Sequence, residues 1–217
     1  ALVAITRGGA PGLSLVNAGH LTHPDGPPVL QVSSDEGERL REAARLGRMA
    51  RLTVEIGRVE ARACNVVARV DDGSGRPPLA VVTPRSGWWH CTGERGGGLI
   101  AWLAIARAVG GARPSRPVVM TANSGHEIGH LGMDAFEACH PGLLRDAHAW
   151  LHLGANLGCR GGRVVVQSSD ASWLALARRR LGAQGLAIAR ELGPGERPFG
   201  EARNIFDRGG RYLSLLG

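Results

Sequence analysis

The sequence contains no lysine: all 26 basic residues are arginine, set against 19 acids. A net charge of +7 and a pI near 10.7 would suit a nucleic-acid-binding face. The arginines, however, are scattered and offset by neighbouring acids, as in Glu36-Gly37-Glu38-Arg39-Leu40-Arg41-Glu42. Only Arg178-Arg179-Arg180 forms a tight run, which reads as a solvated helix end. Arginine without lysine, beside 33 glycines and abundant alanine, marks a GC-rich coding bias and not a phosphate-binding surface. Nucleic acid is therefore not an expected partner.

Cysteine is scarce too. Cys64, Cys91, Cys139 and Cys159 form no C-x-x-C pair, and in a chain of 217 residues they do not read as a disulfide framework. They read as small buried thiols in a reducing, cytoplasmic setting. No apolar run approaches the roughly 18 residues of a membrane span. Ala1 to Arg7 lacks the basic head and cleavage site of a signal peptide and reads as a buried strand. With Ala and not Met in first place, the chain reads as a piece beginning within a domain. What is present, 43% hydrophobic and 21% charged residues, describes a globular chain able to bury a core.

Residues 1–60 alternate short strands with one helix. Val29 to Val32 predicts a strand, and Ser33 with Glu36 has capping-box spacing for a helix stopping at Gly47. Arg51 to Ile56 alternates as a half-buried strand. From Ala61 onward, buried strands alternate with helices. Strands are expected at 66–70, 79–82, 117–121, 149–153 and 163–166, with helices over 99–109 and from the N-cap Asp170 to Gly182. This pattern predicts an α/β fold, a mainly parallel sheet covered on both faces.

His126-Glu127-Ile128-Gly129-His130 matches H-E-x-x-H, the zinc motif in which two histidines one helical turn apart hold the metal. Its surroundings argue against such a helix. A strand ends just before it, and Gly125, Gly129 and Gly132 disfavour helix through the motif. The two histidines are expected not to form a zincin-type site.

A second reading takes in the flanks. Gly125-His126-Glu127-Ile128-Gly129-His130-Leu131-Gly132 resembles the G-E-E-x-G-x-x-G motif of the zinc-dependent aminopeptidase-like exopeptidases, which also follows a strand. Upstream, Glu94-Arg95-Gly96-Gly97-Gly98-Leu99 resembles that family's D-N-x-S-G-V. The resemblance covers most of residues 61–217 and implies a three-layer α/β/α zinc-exopeptidase-like domain, truncated at its C-terminus. Residues 1–60 resemble, in pattern and order, part of a β-rich protease-associated module. By this correspondence Glu94 takes the place of a carboxylate bridging two zinc ions, Glu127 that of a zinc ligand, and His126 that of the general base. The family's H-x-D falls on Thr83-Pro84-Arg85 and its D-x-x-G on Ala155-Asn156-Leu157-Gly158, so those ligands are missing.

The resemblance implies a peptidase-type hydrolase acting on a peptide or small amide, with zinc held weakly or not at all. Further ligands are sought among His90, Cys91, His126, His130 and His152, and Trp88-Trp89 would wall an apolar pocket. A Cys91–His126 nucleophilic pair, with Glu127 orienting the imidazole, needs no metal. The rival readings are a non-catalytic binding or scaffold protein on the same fold and an H-E-x-x-H metallopeptidase. Membranes are not an expected partner.

Overall fold

The computed structural model of the chain describes residues 1–6, 12–13, 27–55, 57, 59–88, 90–159 and 163–217. These divide into two compact units, Ala1–Arg62 and Ala63–Gly217. In the first, strand β1 (Leu2–Ile5) pairs in parallel with β2 (Val29–Val32), and helix α1 spans Ser34–Arg45. The Ser33 hydroxyl accepts the backbone N–H of Glu36 at 3.4 Å, and Gly47 leaves the helix in a left-handed conformation.

Two expectations for this unit are corrected. β1 is largely exposed, not buried, and Arg7 lies outside the described residues. Residues 51–55 form no strand, and Ile56 lies outside the described residues. Alternating apolar residues gain little from extension without a ladder partner.

The second unit is built on seven strands: β3 (Val66–Val70), β4 (Leu79–Pro84), β5 (Val118–Asn123), β6 (Ala149–Leu153), β7 (Val164–Ser168), β8 (Ile188–Leu192) and β9 (Tyr212–Leu216). Their order in the sheet is β3-β5-β4-β6-β9-β7-β8. The central run β5-β4-β6-β9 is parallel, as is β7-β8, while β3 runs antiparallel to β5 and β7 to β9.

Side chains alternate across the pleat and give the sheet two apolar faces. Val81, Met120 and Leu153 pack under α2 (Thr92–Gly111), and Val166 under α5 (Ala171–Gly182). The intervening residues Val82, Trp150 and Tyr212 face α3 (Leu131–Cys139), α4 (Leu143–Asp146) and α6 (Ala202–Asp207). The result is a three-layer α/β/α arrangement. β8, with Arg190 and Glu191 between its apolar residues, is an edge strand that the charge pattern obscures.

α2 starts at Thr92, seven residues before the expected Leu99, and Gly96–Gly98 lie within its first two turns. A Cβ on Gly98 would lie 2.8 Å from the Thr83 hydroxyl, and one on Gly97 only 1.6 Å from the Leu157 carbonyl oxygen. Only a bare backbone can approach the strand ends this closely. That approach puts Glu94 and Arg95 at the C-terminal edge of the sheet, where parallel α/β folds gather their site residues.

Candidate functional site

β5 ends at Asn123, and the chain then makes a single 3-10 turn, His126–Ile128, between Gly125 and Gly129, both left-handed. His130 is left-handed as well, at φ 66°, before α3 starts. Asn65 ties the turn down: its amide donates to the Gly132 carbonyl at 2.7 Å, and its oxygen accepts from the Ser124 N–H at 3.0 Å. The turn separates its polar side chains into two clusters.

The first cluster gathers around Arg95, a residue 3% exposed. Its Nη2 donates to Glu127 at 2.8 Å and lies 3.0 Å from Glu94, while Nε donates to the Ser86 carbonyl at 2.6 Å. The second oxygen of Glu127 accepts from the Ser86 hydroxyl, also at 2.6 Å. Burial pushes the Glu127 carboxyl up, but the hydrogen bonds from Arg95 and Ser86 outweigh it and leave the group below its usual range.

The structure thus brings together Glu94 and Glu127, the two carboxylates the resemblance assigns to zinc, and places a guanidinium between them. The remaining positions bring no donors. Thr83 donates its hydroxyl to the Leu153 carbonyl, and Arg85 spends its guanidinium on the Cys64 carbonyl and Ser124. Zinc wants about four ligands and gains nothing beside a fixed cation. This place does not fit a metal; Arg95 already supplies the positive charge.

The second cluster lies on the other side of the turn and centres on Glu201, which is 1% exposed. Its Oε1 is 2.8 Å from Nδ1 of His126 and its Oε2 3.2 Å from Nε2 of His152. Behind His152, the Ser214 hydroxyl meets Nδ1 at 2.7 Å, Gln167 donates to that hydroxyl at 3.4 Å, and the Phe199 N–H donates to Gln167 at 2.6 Å. Burial pushes the Glu201 carboxyl up, yet its hydrogen bonds to the two imidazoles dominate and hold it well below the usual range. It is an ionised acceptor on both oxygens.

His130 completes this group. Its ring stacks on that of His126 with centroids 4.9 Å apart. Nδ1 meets the Asn204 side-chain oxygen at 2.7 Å, and the Asn204 amide donates to Asp134 at 3.2 Å. Because a carboxylate only accepts, this fixes the amide and makes His130 Nδ1 the donor, leaving Nε2 with a free lone pair. Burial is the main reason the His130 pKa is lowered, so the ring is held neutral.

The H-E-x-x-H segment is not a helix, in line with its glycines, yet the two imidazoles do meet. One ligand atom from each of His126, His130 and Glu201 lies within 4.8 Å of the others. Glu127 takes no part, being held by Arg95 on the far side of the turn. Sequence reasoning missed Glu201: a glutamate in a Gly-Glu-Ala-Arg loop carries no local signal, and only the docking of α6 brings it to His126.

Of the other candidates, His90 is exposed and Cys91 is the N-cap residue of α2. Among the described residues no hydrogen bond joins Cys91 to His126. Trp89 lies outside the described residues. His152 is buried as the support of Glu201.

No protein-family model matches the sequence. No curated protein matches it either. Solved structures do resemble the fold. A Peptidase M28 precursor from Shewanella amazonensis superposes with a TM-score of 0.61 at 15% identity over 89% of this chain and 45% of its own. A zinc aminopeptidase from Bacillus subtilis gives 0.55 at 14% identity, over 70% and 39%. A glutaminyl cyclase from an Acidobacteriales bacterium also gives 0.55 at 14%, over 70% and 58%. The chain therefore spans less than two thirds of each of these structures. At such identities the likeness is one of fold, which is that of M28 peptidases, zinc aminopeptidases and glutaminyl cyclases. Among the described residues no helix is long and apolar enough to cross a membrane.

Proposed function

We propose that the second unit is a hydrolase of the peptidase type, acting on a peptide or small amide, whose working centre is the His126–His130–Glu201 cluster. The observation that carries this reading is the grip of buried, ionised Glu201 on Nδ1 of His126. A carboxylate accepting the Nδ1 proton fixes the tautomer and leaves the other ring nitrogen basic, as a general base requires. His126 corresponds to the general-base position of the exopeptidase motif, and its side chain is 13% exposed. His152, itself held by Ser214, supports Glu201 from behind, so the carboxylate has little freedom to turn. The fold likeness supports a peptidase-like lineage, and fold alone does not choose the chemistry. Residues 1–60 we read, from pattern and element order alone, as part of a protease-associated module.

The test is hydrolysis of a panel of aminoacyl-amide and dipeptide substrates by the chain and by His126→Ala. The reading expects turnover with at least one substrate and a loss of about 100-fold or more in kcat/KM for the variant. Turnover that His126→Ala leaves intact would contradict it, and absence of turnover across the panel would favour the binding-protein reading.

A further inference from the structure

Glu201 presents an electrostatic problem that the Arg95 cluster does not. Glu127 is matched by a guanidinium. Glu201 is no less buried, yet among the described residues its ion-pair partners are only the imidazoles of His126 and His152. Neutral imidazoles give hydrogen bonds but no counter-charge, so a proton on a ring or a bound cation is what would complete the pairing of this buried carboxylate.

We propose that His126, His130 and Glu201 together bind one divalent transition-metal ion, with zinc the best match to the donors. The inference rests on the reading of this cluster as the working centre and names the cation that centre takes; with the ion bound His126 serves as a ligand, and the free-base role described above belongs to the metal-free chain. Two imidazoles and one carboxylate, with a position left open, form a donor set common in catalytic zinc sites. The three ligand atoms already lie within 4.8 Å of one another. Zinc–nitrogen bonds of about 2.0–2.1 Å at a tetrahedral ion set ligand atoms about 3.3–3.4 Å apart. The widest separation therefore has to close by up to about 1.4 Å, a movement within the scale of side-chain rotation.

The surroundings are those of an orienting shell. Asn204, fixed by Asp134, holds the Nδ1 proton of His130 and leaves Nε2 for a metal. His152 holds the far oxygen of Glu201 and leaves Oε1 free to exchange its bond to His126 for one to the ion. His126 then coordinates through one ring nitrogen and keeps its single proton on the other, so the ring stays neutral. This place is distinct from the Glu94–Glu127 place, where Arg95 excludes a cation.

The experiment uses the full chain, stripped with a chelator and titrated with Co²⁺ followed by optical absorption, and with Zn²⁺ followed by calorimetry, in the absence of substrate. One equivalent should bind, giving the visible bands of low-coordinate cobalt. Glu201→Gln and His130→Asn should each weaken binding by about 100-fold or more, while Glu94→Gln leaves it unchanged. Circular dichroism checks the fold of each variant. Should Glu201→Gln fail to fold, Asn204→Ala decides instead, with about 10-fold or greater weakening expected from loss of the orienting hydrogen bond. No binding tighter than about 1 mM in the parent chain overturns the proposal. So does binding that survives in His130→Asn and the deciding variant, or that is lost in Glu94→Gln. Metal binding without hydrolysis would leave this site standing and remove the hydrolase reading, and hydrolysis without metal binding would do the reverse.

Discussion

Oε1 of Glu201 lies 2.8 Å from Nδ1 of His126, a residue 75 positions earlier in the chain. The contact links the turn after β5 to the loop before α6, and it dictates proton positions. With Glu201 ionised, His126 carries its proton on Nδ1 and His152 on Nε2, since both donate to the same carboxylate. His130 carries its proton on Nδ1 because Asn204 accepts there. Long-range ¹H–¹⁵N imidazole spectra of the metal-free chain at neutral pH should show these three tautomers. A His152 protonated on Nδ1 alone would break the chain of hydrogen bonds from Ser214 to Glu201.

Arg95 is the cation of the other cluster. Replacing it with Met leaves Glu94 and Glu127 facing one another, Glu127 with its burial uncompensated. Loss of one partner from a buried ion pair typically costs about 3–5 kcal/mol, and Arg95→Met should fall in that range by denaturant unfolding. Adding Glu127→Gln should recover part of the loss. The pH dependence follows from the depressed Glu127 pKa: its contribution is present above the unfolded value of 4.5 and is lost as pH falls through the lower folded value. In Arg95→Met this loss on acidification should shrink or reverse.

Tyr212 gives a cleaner titration, because it is the only tyrosine and no lysine is present to titrate beside it. It is 0% exposed, and burial pushes its pKa up from 10.0 to about 12. Between those values the unfolded chain releases a proton that the folded chain retains. Stability should therefore fall with rising pH in this window, by about 1.4 kcal/mol per pH unit at most from this group. Ultraviolet absorption should show phenolate forming only near pH 12 or on unfolding. Ionisation near pH 10 with the fold intact would contradict the burial.

The glycines of α2 divide by what surrounds them. Gly97→Ala would drive a Cβ into the Leu157 backbone, whereas a Cβ on Gly110 meets nothing within 4 Å. Gly97→Ala should cost at least the roughly 1–3 kcal/mol of core overpacking. Gly110→Ala should stabilise the chain by about 0.5–1 kcal/mol through helix propensity. Thermal unfolding of the two variants checks both signs.

Much of this architecture was legible in the residues. Val29–Val32, Val66–Val70 and Ala149–Leu153 stand where their apolar runs place them. Asp170 caps α5 through its bond to the Ser172 N–H, as its type and position foretold. The Gly96–Gly98 run and the Gly125–Gly132 segment correctly mark two places where backbone meets backbone at the sheet edge. The chemistry was less legible. Arg95 stands in the motif as an ordinary helix residue, and nothing local says that it turns inward between two carboxylates. Glu201 and Asn204 reach the histidines only through the packing of α6 on β9 and α4. Local pattern fixes which residues are apolar or bare, while partners in a buried polar network are set by contacts between distant segments.

The proposed centre lies on the Glu201 side of the turn, not the Glu94 side. The most direct measurement compares kcat/KM for one hydrolysed aminoacyl amide in two isosteric variants, Glu201→Gln and Glu94→Gln, each shown to be folded. A fall of about 100-fold or more is expected for Glu201→Gln and a change of less than about 3-fold for Glu94→Gln, whose carboxylate touches, among the charged groups of the described residues, only Arg95. The opposite ranking would move the active centre to the Glu94–Glu127 pair and rule out the Glu201 centre.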